Sequence, residues 1–298
     1  MQFERVYMKR AFSVIIILLI LFSLMACKTK NDVAPVLKPE AKATIAPTPQ
    51  PDVADKGDFI TAKIDTDLVR QAKILIPNQS FDVVTSIKAG TELSLIKAGT
   101  EWHKVSFDGQ EGFVLATDVE GTDPAPSPYY IYIEKGSHTI SVFERDENGE
   151  YTKLLNSYLT ATGKTAGKTP TGVFAISKKY AWKQFDSAGT DRPYSYSPYV
   201  SQFTDGIYMH GPVFAEEDFN TMFGNTYKEI GTNSTAGCLR TNVGSASWIY
   251  MNCPMGTVVE VVNGSPREIQ TPELIKAVHD LEKGRYYDPT DPNYEEEE

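Results

Sequence analysis

Proline interrupts this 298-residue chain twice, and those interruptions decide which stretches can fold together. The first runs from Lys28 to about Asp58, where Pro35, Pro39, Pro47, Pro49 and Pro51 stand among Ala, Thr, Lys and Asp. A run of that composition buries too little apolar surface to offset its chain entropy, and proline keeps it extended. It reads as a stalk. The second, Asp123-Pro124-Ala125-Pro126-Ser127-Pro128, is shorter and reads as a hinge. The residues between and beyond the two are rich in short strand-like segments bounded by glycine turns, so the expected fold class is mainly β with a few short helices. The expected divisions are a leader over 1–26, the stalk over 27–58, a small β module over 59–122, a larger β domain over 128–263 and a tail over 264–298.

The leader has its own signature. Arg5, Lys9 and Arg10 precede an apolar segment from Ala11 to Ala26, unbroken from Val14 to Phe22. A basic start, a short apolar core and small residues before a cut describe an export signal. A spanning helix needs about 20 apolar residues, more than this segment offers. Leu24-Met25-Ala26-Cys27 resembles a lipobox, which would leave Cys27 as a lipidated N-terminus. The alternative is an uncleaved signal anchor with Cys27 as a bystander. Either reading places the rest of the chain outside the cytoplasm, tethered to a membrane.

Charge narrows the partners. The whole chain carries −10, and without Met1–Ala26 it holds 26 basic residues against 38 acidic, near −12. Such a surface disfavours nucleic acid or a polyanionic polymer as the main partner. Three cysteines make no disulfide framework. His103, His138, His210 and His279 are scattered without ligand spacing, so no metal site and no cofactor is expected.

In the small module, Glu92–Ile96 and Glu101–Phe107 are strand-like, Asp108-Gly109 is a hairpin turn, and Gly112-Phe113-Val114 follows. The series Gly-Thr-x-Leu, Trp-x-Lys-Val, Asp-Gly, Gly-Phe-Val resembles a bacterial SH3-like domain. That resemblance implies a small barrel and a wall-binding role. Trp102 reads as a structural residue of the module, and His103 as incidental.

The larger domain opens with Tyr129–Ile133 and Thr139–Phe143, joined through Lys135-Gly136. Thr162-Gly163-Lys164 and Thr169-Pro170-Thr171-Gly172 follow. No Gly-Lys-[Ser/Thr] opens a helix here, which excludes a phosphate loop. Lys178 to Gly206 is rich in Tyr, Ser, Pro and Asp without a sustained period and reads as loops over strand edges. Then come Tyr208-Met209-His210-Gly211 and, 28 positions after the histidine, Thr235-Ala236-Gly237-Cys238-Leu239-Arg240. A thiol needs a base to become a nucleophile, and histidine is the usual one. A glycine before the cysteine lets backbone N–H groups approach whatever the sulfur attacks.

These separated motifs together resemble the L,D-transpeptidase (YkuD-type) catalytic domain. The resemblance implies a cysteine acyltransferase acting on peptidoglycan stem peptides through a thioester. In that reading Cys238 is the nucleophile and His210 the base, with a positive imidazole stabilising the thiolate. The Gly211 carbonyl holds the imidazole, N–H groups near Gly237 and Cys238 form the oxyanion hole, and Thr235 and Arg240 position the loop or a substrate carboxylate. Two alternatives stay open. One is an L,D-carboxypeptidase with water as acceptor; the other is a lipid-tethered wall-binding protein whose SH3-like module is the active part. The long gap between histidine and cysteine predicts an insertion with a short helix around Glu216–Phe223, Phe214, Phe219 and Phe223 sharing a face. Cys253 reads as a small core residue. In the tail, Thr271-Pro272-Glu273 predicts a helix with Leu274, Ala277, Val278 and Leu281 inward, and 288–298 reads as acidic disorder.

Overall fold

The structure is a computed structural model and describes residues 59–75, 79–186, 192–267, 269–280, 283–292 and 294. The export signal, Cys27 and the stalk lie outside the described residues. Among the described residues, no helix is long and apolar enough to cross a membrane.

Strands dominate, as the short alternating segments and frequent glycine turns require. The first seven are β1 (Phe59–Ala62), β2 (Thr66–Val69), β3 (Val83–Ile87), β4 (Glu92–Lys97), β5 (Trp102–Phe107), β6 (Gln110–Leu115) and β7 (Val119–Glu120). They form one sheet in the order β3-β2-β6-β5-β4-β1-β7. Ile60, Leu68, Ile87, Leu93, Val105, Val114 and Val119, one or more from every strand, share a single apolar cluster, so the sheet curls round its own core. Trp102 is buried and meets Phe81 edge to face, with centroids 5.4 Å apart. His103 is fully buried and its Nδ1 accepts from the Gly99 N–H at 3.1 Å.

The expected hinge is tied down. The Ala125 N–H donates to the Gly99 carbonyl and the Pro126 carbonyl accepts from Thr100 Oγ1. Lys179 reaches back to Glu101 at 3.3 Å, with side chains 5% and 7% exposed, and Tyr250 donates its hydroxyl to the Leu75 carbonyl at 2.6 Å. Three prolines stiffen this segment, but neighbouring backbone satisfies it, so it does not act as a free joint.

After it come β8 (Tyr129–Glu134), β9 (Thr139–Arg145), β10 (Tyr151–Leu159), β11 (Thr162–Gly163), β12 (Gly172–Ala175), β13 (Lys178–Asp186), β14 (Tyr194–Thr204), β15 (Ile207–His210), β16 (Asn233–Thr235), β17 (Leu239–Arg240) and β18 (Val258–Val262). One sheet has the order β10-β9-β8-β18-β12, and a second has β13-β14-β15-β17. The helix Val243–Asn252 packs on two clusters at once. Ile249 and the adjoining Cys253 join Ile131, Val142, Met209, Leu239 and Val259, whereas Val243, Ala246 and Tyr250 join Tyr199, Phe214 and Tyr227. The two stripes together leave the helix little solvent face, so no amphipathic period marked it in the sequence.

Three expectations are corrected. Lys178–Gly206 is chiefly the hairpin β13–β14, paired from Lys178↔Gln202 to Asp186↔Tyr194, not loops. The insertion is a 3₁₀ turn at Phe219–Thr221, capped by the Asp218 carboxylate, followed by a one-turn helix at Gly224–Tyr227. Its Phe214 and Phe219 pack on Trp182 through tertiary contacts rather than along one helical face. The tail makes no helix at Thr271. Thr271 Oγ1 donates to the Ser137 carbonyl, Leu274 and Ala277 pack into the second cluster, and β19 (Val278–Asp280) pairs with β20 (Arg285–Tyr287). Tertiary partners thus satisfy the segment that local signals assigned to a helix. Asp288 is buried, and its carboxylate accepts from the Val243 N–H at the start of the helix. That is a helix N-terminal anion site supplied from the tail.

Candidate active site

The second sheet sets the site by alternation. Its β15 and β17 run parallel with Met209 beside Leu239 and His210 beside Arg240. Met209 and Leu239 are buried in the first apolar cluster. Successive side chains point to opposite faces, so His210, Arg240, Tyr208 and the adjoining Cys238 belong to the other face. Burying two aliphatic side chains, worth roughly 2 kcal/mol each, thereby fixes which way the imidazole and thiol project.

The cysteine loop is held at three points. Thr235 Oγ1 donates to the Cys238 carbonyl at 2.6 Å and accepts from the Gly237 N–H at 3.1 Å. Thr169 Oγ1 donates to the Gly237 carbonyl at 2.8 Å and accepts from the Gly163 N–H at 2.9 Å. The Thr-Pro motif and the Thr-Gly motif, distant in sequence, therefore meet at the cysteine loop. Gly237 has φ +145°, and a Cβ there would collide with the Lys168 carbonyl oxygen and lie 2.7 Å from Ile207 Cδ1. Only glycine fits.

The imidazole of His210 is buried against this loop's sheet. Its Nδ1 lies 2.6 Å from the Gly211 carbonyl oxygen and 3.0 Å from Ser197 Oγ. The carbonyl can only accept, so Nδ1 carries the proton and Nε2 the lone pair. Ser197 Oγ also lies 2.9 Å from the Gly211 and 2.8 Å from the Pro212 carbonyl, closing a small buried network. Burial, then the nearby Arg240 charge, push the histidine down to about 3, against the bond from Gly211, which favours the cation. The imidazole is therefore neutral at neutral pH.

Cys238 is half-buried, and its Sγ lies 4.0 Å from the Gly206 carbonyl at the β14–β15 turn. Burial raises its thiol above the ordinary value, opposed by backbone N–H groups of Tyr208 and of Cys238 itself and by the charges of Arg240 and Lys183. Burial disfavours the charged form of both partners, the imidazolium and the thiolate. Of the N–H groups near Gly237 and Cys238, that of Gly237 donates to Thr235 Oγ1.

Arg240 is clamped inward. Its Nη1 donates to the Thr226 carbonyl at 3.0 Å and to Glu229 Oε2 at 2.9 Å, with the guanidinium side chain 4% exposed. That arrangement positions the loop and leaves no open face for a substrate carboxylate. Thr235 is likewise an internal tie. Cys253 is fully buried in the aliphatic cluster, its thiol pushed up to about 12 by burial. Sequence reasoning passed over Ser197, Lys183 and Phe185, because a Tyr-Ser-Pro-rich stretch gives no period to place them on. Phe185 sits 5.0 Å from the imidazole, ring to ring. A cavity of about 550 Å³, lined in part by Glu101, Glu120, Met255 and Gly256, includes neither Cys238 nor His210 in its wall.

One sheet face thus brings together a thiol with backbone N–H groups at its sulfur and an imidazole whose Nδ1 is committed to a carbonyl. Residues 128–261 match the YkuD family model, described as the L,D-transpeptidase catalytic domain. It is 29% identical over 131 residues to YciB of Bacillus subtilis (strain 168), covering 44% of this chain and 59% of that protein. It is 25% identical over 152 residues to YqjB of the same strain, covering 48% and 76%. Both relatives are provisionally named L,D-transpeptidases. The chain thus spans about three fifths of the length of YciB. Among solved structures it is similar to L,D-transpeptidase 1 of Mycobacterium tuberculosis (18% identity, 54% and 71% of the two chains, TM-score 0.36). It is also similar to an L,D-transpeptidase of Mycobacterium smegmatis (15% identity, 71% and 100%, TM-score 0.38).

Proposed function

We propose that this chain is a cysteine-dependent L,D-transpeptidase acting on peptidoglycan stem peptides. The observation that carries the reading is the common sheet face of His210 and Cys238, with Nδ1 committed to the Gly211 carbonyl. Cys238 Sγ attacks the carbonyl carbon between a diamino acid and a terminal D-amino acid while the thiol proton passes to His210 Nε2. Because both groups rest neutral, proton transfer accompanies S–C bond formation rather than preceding it. The N–H groups of Tyr208 and Cys238 are the donors for the developing oxyanion, each worth about 3 kcal/mol in such a role. The C–N bond then breaks, the departing amine takes the proton from Nε2, and a thioester remains. An acceptor amine attacks the thioester, loses its proton to Nε2, and releases Cys238, which recovers its proton.

The N-terminal signal and Cys27 support an extracytoplasmic, lipid-anchored location facing the wall. The small β module supports a fixed accessory role beside the catalytic domain, consistent with an SH3-like, wall-binding part. The test is incubation with a disaccharide tetrapeptide and a labelled amine acceptor, products being identified by mass. Label in the product, absent from Cys238→Ala, sustains transpeptidation. Loss of the terminal residue without label assigns the carboxypeptidase reaction instead.

A further inference from the structure

Lys183 lies on β13 opposite Ser197, the residue that touches His210 Nδ1. Its Nζ stands 5.0 Å from the Tyr180 ring centroid, 5.1 Å from Tyr208 and 5.6 Å from Phe185. Phe185 in turn packs on the imidazole and on Tyr208, and Tyr208 precedes the β15 residue paired with Leu239. Three rings thus hold one ammonium group, and two of them belong to the site: Phe185 packs on the imidazole, and the Tyr208 backbone N–H reaches the thiol. The described residues offer it no carboxylate within ion-pair distance. Arg240 is the other cation whose charge reaches Cys238, but Glu229 and the Thr226 carbonyl already occupy it.

Aromatic faces attract a cation without neutralising it, and they strip some of its water. An ammonium held this way keeps its full charge for an incoming anion, in a site where Coulomb attraction exceeds that in bulk water. We infer that Lys183, seated on Tyr180, Phe185 and Tyr208, is a specificity residue that binds a carboxylate of the donor peptide at the acyl-transfer site. This rests on the function proposed above. Two carboxylates of the donor share this chemistry: that of the departing C-terminal residue and the free one of the diamino acid. A cation here selects donors bearing that carboxylate.

The test uses the full chain and synthetic donor peptides in three forms: both carboxyls free, C-terminal carboxyl amidated, and diamino-acid carboxyl amidated. KM and kcat for acylation of Cys238 are read by mass for wild type, Lys183→Met and Lys183→Arg. The expected result is a KM about tenfold higher in Lys183→Met for the free donor, with kcat within about twofold and most affinity kept by Lys183→Arg. One amidated form should show the same high KM in wild type and no further rise in Lys183→Met, which identifies the carboxylate. If Lys183→Met shifts all three donors equally, or none, the inference is overturned while the function stands. If no donor acylates wild-type Cys238, both fall.

Discussion

Cys238 and Cys253 carry the same functional group in opposite surroundings. Cys253 ends the helix Val243–Asn252 in a cluster with Ile131, Val142, Ile249 and Val259, where burial pushes its thiol up to about 12 against the charge of Lys179. Cys238 is also raised by burial, but two backbone N–H groups and two cations oppose the rise. The loop around it is tied by hydroxyls of Thr235 and Thr169 instead of being packed by methyl groups. One thiol is a packing unit and the other sits in a loop held by polar ties, although only 15 positions separate them in the chain.

The comparison breaks most sharply on activity. Cys238→Ser should lose roughly a thousandfold or more of turnover, because a hydroxyl beside a neutral imidazole is a far weaker nucleophile. Its thermal midpoint should stay near wild type, since the site is half-buried. Near-normal turnover on muropeptides would end the assignment. A carbapenem β-lactam should leave one adduct by mass, absent in Cys238→Ala; an adduct mapped to Cys253 would reverse the roles of the two thiols.

Next in size is Thr169→Val, which keeps shape but removes both bonds that tie the cysteine loop to Gly163. Misplacing a nucleophile by about an ångström costs roughly ten- to a hundredfold in rate, and kcat should fall accordingly with KM little changed. An unaltered kcat would mean that the Thr235 tie suffices alone.

Cys253→Ser sharpens the other side. A hydroxyl in that aliphatic cluster lacks a partner, so stability should drop by about 1–3 kcal/mol, read by urea unfolding. Specific activity of the folded fraction should not change. Loss of activity without loss of stability would give Cys253 a role that the packing does not suggest.

A last test, confined to acid pH, concerns His210. Its folded-state value, near 3, lies below the ordinary 6.5, so below pH 6.5 the unfolded chain takes up a proton that the folded chain refuses. Stability from this group is complete above about pH 6.5 and declines as the pH falls toward 3. Burial pushes His103 and His138 the same way, so the readout is the difference between wild type and His210→Gln. The variant should show a shallower acid slope. Identical slopes would mean that His210 is solvated and free to charge.

The residue types that form the candidate site were legible in the chain itself. Gly-Cys-x-Arg, His-Gly, Thr-Gly and Thr-Pro-x-Gly are local words whose composition restricts what the backbone and side chains can do there. So were the β character and the core identity of Cys253, since both follow from periodicity and polarity. Tertiary structure alone decided which partner each group has. Ser197 reaches the imidazole from β14 through a strand whose alternation the sequence hid, because both of its faces are buried and Pro198 interrupts it. The helix expected at Thr271 gave way to distant carbonyls and an apolar cluster, and Asp288 left an apparently disordered tail to meet a helix N-terminus. The protonation of His210 was decided the same way, by burial and by an arginine from a neighbouring strand. Local sequence sets which bonds a residue is able to make, but solvent exclusion and the approach of distant strands set which of them form.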